Sequence, residues 1–240
     1  MATLTTMTVA TSQADLAPLY LFADSQLLFW KRNGKLLLES VRESLAGDAP
    51  PAAYIGASNG DRPEFYEIFT AAMNAAGFPE HRMIGSAFTA EDREFLDRAQ
   101  LILLAGGDVR LGWTTFEKTG MKEQILARYA SGAVLVGISA GAVQLGRHGL
   151  VDNGESTGLE LFDVFGLVPA LIDVHDEQRD WTRLASTVRM LEGSIGGLGI
   201  ATAGGIVFHS DGSAEALRHP VHEFRYDGTR VVHSLLMPEA

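Results

Sequence analysis

Residues Val134 to Leu145, VLVGISAGAVQL, carry the plainest chemical signal: an apolar run ends at Gly137-Ile138-Ser139-Ala140-Gly141, and a helix-compatible run follows. This is G-x-S-x-G between a strand and a helix. On such a turn a serine hydroxyl is held out at the strand end, glycines avoid clashes, and the N–H groups that open the helix face developing negative charge. Ser139 is therefore the candidate nucleophile. The same pentapeptide also serves as a plain tight turn that packs a helix on a sheet, so the strand before it and the helix after it give it meaning.

A serine nucleophile needs a base to take its proton and a pair of donors to hold the oxyanion. Of the seven histidines, His175 alone directly follows an apolar strand, Leu167 to Val174, which sets it on the expected active edge. His148 is expected on the far side of the helix after Ser139. His209, His219, His222 and His233 fall in peripheral C-terminal strands as surface or structural groups. Gly106-Gly107 lets the backbone approach a ligand closely and point its amides inward, and the Ala140 amide opens the helix; together they suit an oxyanion hole.

Other charged groups have two readings each. Arg179 and Arg183 stand one turn apart on a helix predicted over Glu177 to Leu191, where they either pair with a substrate carboxylate or belong to a solvated face with Asp176, Glu177 and Asp180. Asn59-Gly60-Asp61-Arg62-Pro63 is a turn first and a substrate loop second. The histidines are scattered, and Asp173-Val174-His175-Asp176 lacks a second matching group, so no metal site is expected. No G-x-G-x-x-G or P-loop points to a nucleotide, and no cofactor is expected.

The elements that position these residues alternate. Strands are expected at Leu19 to Ala23, Ala52 to Ala57, Leu101 to Ala105 and before Ser139; helices at Lys35 to Leu45, Glu64 to Ala76, Ala90 to Ala99 and Met121 to Ala130. Such alternation with fully apolar strands predicts an α/β fold: one mostly parallel sheet with helices on both faces and ligands bound at the strands' carboxyl ends. Beyond Gly149 a glycine-rich loop is expected, then the strand ending at His175, the Glu177 to Leu191 helix and strands through Ile206 to His233. Asp211-Gly212 and Asp227-Gly228 mark hairpins there.

Composition narrows the classes. The 240 residues, 46% hydrophobic, suit one large domain after a polar leader of about 17 residues. Thirty acidic against 19 basic residues, a net charge of −11, and the lack of a basic stripe exclude nucleic acid as the expected partner. The absence of cysteine removes disulfides and thiol catalysis. Without a signal-peptide pattern or a membrane-length apolar run, a cytoplasmic protein with no membrane partner is expected, with a homodimer left open.

The stretch LLAGGDVRLGW…GAVLVGISAGAVQL, with GLVPALIDVHDEQRDWTRL and GLGIATAGGIVFH, resembles the S51 serine peptidases, the family of dipeptidase E and cyanophycinase, from about Ala52 to Phe208. The resemblance implies a class I glutamine amidotransferase-like fold, Ser139 as nucleophile, His175 as base, Gly107 and Ala140 as oxyanion donors, and cleavage of a small peptide or amide next to aspartate. Three departures stand out. Gly106-Gly107-Asp108-Val109 replaces the Gly-Gly-Asp-Gln usual in cyanophycinases. Gly199-Ile200-Ala201-Thr202 replaces a Gly-Ile-Asp-Glu whose glutamate can orient the histidine. Trp181 stands where another arginine often occurs. With Thr202 in the glutamate's place, an acid between serine and histidine is the expected third catalytic residue, Asp152 ahead of Glu155. The alternatives are a catalytically silent relative that binds a peptide-like ligand, and an amidotransferase-like domain, which without cysteine lacks its usual nucleophile.

Overall fold

The computed structural model describes residues 16–152 and 159–239. Short, fully apolar runs build its central sheet. In spatial order the strands are β13 (Ala214–Leu217), β12 (Gly205–Phe208), β1 (Leu19–Phe22), β7 (Val134–Ile138), β6 (Leu101–Leu104), β4 (Pro51–Ile55) and β5 (Glu80–Ile84). The five from β1 to β5 are parallel, and β12 and β13 add antiparallel to one edge.

Alternate residues of the buried strands point into two cores, as the period of two requires. Ile102, Leu104 and Leu135 join α3 (Ala90–Arg98), α4 (Val109–Thr119), α5 (Met121–Ala130) and α6 (Ala140–Leu145). Leu101, Leu103, Val134 and Val136 join α1 (Leu37–Ser44) and α2 (Pro63–Ala76) on the other side. The sheet is therefore covered on both faces, as its apolar strands predict.

A second sheet runs β10 (Ala170–Val174), β11 (Gly196–Ile200), β14 (Val221–Tyr226), β15 (Val231–Leu236). Ala170, Ile172, Leu198, Ile200 and Val221 pack into the first core, which joins the two sheets. Leu171 and Phe224 pack outward against Trp181 and against Leu184 and Val188 of α7 (Thr182–Met190). Two small hairpins complete the elements, β2 (Lys31–Arg32) with β3 (Lys35–Leu36), and β8 (His148–Asp152) with β9 (Leu159–Asp163).

Several expectations change. The described residues after Gly149 are not a loop throughout but pair as β8 and β9, and His148 is on β8, 3.0 Å from Asp163, not on the helix after Ser139. The helix expected over Glu177 to Leu191 is a 3-10 turn, Glu177–Arg179, followed by α7. It breaks because Asp180 and Trp181 take φ of 50° and 55°, which turns the indole into the core. Lys35 and Leu36 pair in a hairpin before α1 begins. Helix α4 and strands β5 and β11 add to the expected set. The Asp211-Gly212 and Asp227-Gly228 pairs do join antiparallel strands. No helix among the described residues is long and apolar enough to cross a membrane.

Candidate active site

Ser139 links β7 to α6 in a backbone conformation, φ 50° and ψ −109°, that a non-glycine residue rarely adopts. Its surroundings impose it. The Ser139 N–H donates to the Phe22 carbonyl of β1 at 2.9 Å, while its own carbonyl accepts from Val143 N–H at 3.1 Å. At Gly141 a Cβ would stand 2.1 Å from the Leu104 carbonyl oxygen, so only glycine lets α6 lie this close to β6. The G-x-S-x-G spacing is thus the spacing of a sharp strand-to-helix turn with its helix pressed on the sheet.

Gly106 and Gly107 follow β6, next to this turn. Gly107 has φ 139°, and a Cβ there would lie 2.1 Å from the Ser58 carbonyl oxygen. Buried Gln144 of α6 fastens the neighbouring segments by donating to Ser58 Oγ at 3.1 Å and to the Val109 carbonyl at 3.0 Å. Neither the Gly107 nor the Ala140 N–H donates to a carbonyl among the described residues. Asn59, in the turn after β4, donates to the Gly106 carbonyl at 3.1 Å and to the Tyr54 hydroxyl at 3.0 Å.

Ser139 and His175 line one cavity of about 250 Å³, with Gly106, Gly107, Asn59 and Asp24 among its other walls. His175 is exposed, at the end of β10, with φ 59° and its N–H donating to the Ile200 carbonyl of β11 at 3.3 Å. No hydrogen bond joins its ring to Ser139 Oγ. A smaller hollow of about 160 Å³ also touches Ser139 and Gly107, and is bounded by Ala140, Asp173 and Arg183.

One acid near His175 was not singled out by sequence. Glu177 Oε1 accepts from the Thr202 N–H at 3.2 Å, and its Oε2 is buried without a partner. Burial pushes its carboxyl up, but hydrogen bonding at Thr202 and the charge of His175 outweigh this and hold it below the ordinary value. The signal that could have led here is Thr202, which pointed instead to Asp152 and Glu155: where the resemblance expects a glutamate, another glutamate reaches across from the β10 side to the same backbone.

The remaining candidates separate. Asp152 ends β8, its backbone opposite Leu159, and Glu155 lies outside the described residues. Arg179 and Arg183 do not share a helical face. Arg179 is largely in solvent, 3.8 Å from Asp176, and lines neither cavity. Arg183 binds Asp173 through Nε at 3.2 Å and through Nη2. Asp173 is 1% exposed, and burial raises its carboxyl above the ordinary value against the pull of Arg183.

Fold and site together define an α/β protein whose parallel strands present a strained serine turn and a glycine loop, with a histidine across one cavity. The chain belongs to peptidase family S51, whose family model matches residues 24–215. Among solved structures it is similar to a peptidase from an acI-B1 Actinobacterium, with 19% identity, TM-score 0.69 and coverage of 95% of this chain and 97% of that one. It is also similar to a putative peptidase E protein from Listeria monocytogenes EGD-e, with 18% identity, TM-score 0.56 and coverage of 92% and 99%. No curated protein matches the sequence. The fold is that of these structures, and family membership makes the chain a peptidase.

Proposed function

We propose that the chain is a serine peptidase acting on small peptides or amides, with Ser139 as nucleophile and His175 as its base. The observation that supports this best is the shared cavity: a serine on a strained turn, an exposed imidazole and the Gly107 backbone all border it. In the reaction, Ser139 Oγ attacks the scissile carbonyl while His175 takes its proton. The Gly107 and Ala140 N–H groups hold the oxyanion, and His175 then protonates the leaving amine. Water, deprotonated by the same imidazole, attacks the acyl-enzyme and releases the acid. The absent Ser139–His175 bond is compatible with this, because catalytic hydrogen bonds often tighten only around substrate.

The histidine needs an acceptor for its other ring nitrogen. We assign that role to Glu177, whose Thr202 anchor leaves one buried oxygen unpartnered. Asp152 is the competing assignment, carried over from its place between serine and histidine.

The test is labelling with a fluorophosphonate probe together with peptide hydrolysis, wild type against Ser139→Ala. Covalent labelling and turnover that both vanish in the variant support the reading. A protein that binds peptides yet is neither labelled nor hydrolytic is a silent relative.

A further inference from the structure

The cavity beside Ser139 is unlike a carboxylate site. Phe65, Ile68 and Phe69, three and four residues apart, stand on one face of α2 and form one wall. Leu28, Leu103 and Ile138 form much of the rest. No lysine or arginine lines it among the described residues. Its one acid, Asp24, accepts from Gln26 N–H at 2.8 Å and from Ala203 N–H at 2.7 Å. The other polar walls are the neutral Tyr54 and Ser25 hydroxyls, the Asn59 amide, which donates to Tyr54 and Gly106, and the His175 ring, which the proposed reaction uses at the scissile bond. Arg62 lies outside, over the Phe65 ring at 5.2 Å and paired with Glu64.

We propose that this cavity receives an apolar side chain of leucine or phenylalanine type next to the scissile bond, which rests on the peptidase reading above. An aspartyl carboxylate placed there would lose its hydration without gaining a lysine or arginine partner and would face the negative charge of Asp24. An apolar side chain loses nothing and covers the α2 wall. The ring of Phe65 marks the mouth: it is 41% exposed, although it belongs to the apolar stripe of its helix. About 250 Å³ is ample for one large apolar side chain beside the reacting groups. The resemblance implies aspartate beside the cleaved bond; the walls argue for a different residue in this cavity.

The experiment uses the full chain and tripeptides of alanine in which each position in turn is leucine, phenylalanine, lysine or aspartate. At one position, kcat/KM for leucine and phenylalanine is expected to exceed that for aspartate on the order of 100-fold. Phe65→Arg, at an exposed ring and so compatible with folding, should cut that advantage by about tenfold or more. Phe65→Ala gives the same direction without adding charge. A preference for aspartate at every position, or an advantage unchanged in both variants, overturns the proposal while probe labelling of Ser139 keeps the peptidase reading. Labelling without cleavage of any leucine or phenylalanine peptide also overturns it. Absence of both labelling and cleavage removes the peptidase reading and the proposal with it.

Discussion

The serine and histidine sides of this site are built by opposite means. Ser139 is held by backbone: two hydrogen bonds to neighbouring main chain and a helix pressed so closely on β6 that Gly141 cannot carry a Cβ. His175 stands on the second sheet, exposed, with its surroundings set by side chains that reach across sequence, above all Glu177 to Thr202, 25 residues away. On the reading proposed above, main-chain packing fixes the nucleophile and side-chain contact tunes the base. Substitutions at the serine should therefore act all or none on turnover, and those around the histidine should grade.

Ser139→Ala sets the upper end: turnover should fall on the order of 10⁴-fold or more with the fold intact, since one hydroxyl is removed and no packing is lost. Circular dichroism and peptide hydrolysis check both halves, and retained hydrolysis would end the mechanism. His175→Ala should cost roughly 10³-fold or more and should add little in the Ser139→Ala background, because residues acting as a unit are not additive. Additive losses would separate the two sides of the site chemically as well as structurally.

This contrast also governs what sequence could show. Val134 to Gly141 was legible because its signal, an apolar strand followed by G-x-S-x-G, lies within a few residues, although the turn is held by Phe22 and Leu104 from elsewhere in the chain. Helix α4 was not expected, although Asp108 caps it by accepting from Leu111 N–H at 2.8 Å and Gly120 closes it at φ 76°. Those signals are present in the residues. Strand β11 was hidden for a deeper reason. A Cβ at Gly197 would meet Leu184 at 2.7 Å and one at Gly199 would meet Trp181 at 2.6 Å, so glycine serves here to let side chains pack on the strand's backbone. Nothing local announces that partnership. The left-handed pair Asp180-Trp181, which breaks the expected helix and separates Arg179 from Arg183, belongs with it: the indole leaves the helical stripe to reach β11.

The next prediction divides the histidine side between its two acids. Glu177→Gln keeps size and a hydrogen-bonding oxygen but removes charge, and should lower kcat/KM by about 10- to 100-fold, with Glu177→Asp recovering part of it. Asp152→Asn should then stay close to wild type. The reverse pattern in the same assay would move the orienting role to Asp152. Arg183→Ala should act on stability before chemistry, since it leaves buried Asp173 without its guanidinium. About 2 kcal/mol is expected in a denaturant titration, below the 3–5 of a fully buried pair because Arg183 is partly exposed. Arg179→Ala, at a solvated side chain, should change neither stability nor KM measurably.

Among the residues tied to Glu177 the smallest effect is expected at Thr202, which stands where the resemblance expects a glutamate. Glu177 accepts from the Thr202 backbone N–H, which alanine retains, and the threonine itself is exposed. Thr202→Ala should therefore change kcat/KM by less than about threefold, the size of a surface substitution away from special features. The comparison with Glu177→Gln sharpens the assignment. If the backbone amide anchors the carboxylate, the loss in Glu177→Gln exceeds that in Thr202→Ala by about threefold or more. Equal losses in the same assay would mean that the threonine hydroxyl, not the main chain, holds Glu177 against the histidine side, and that Thr202 has become part of the positioning machinery in the place of the glutamate expected there.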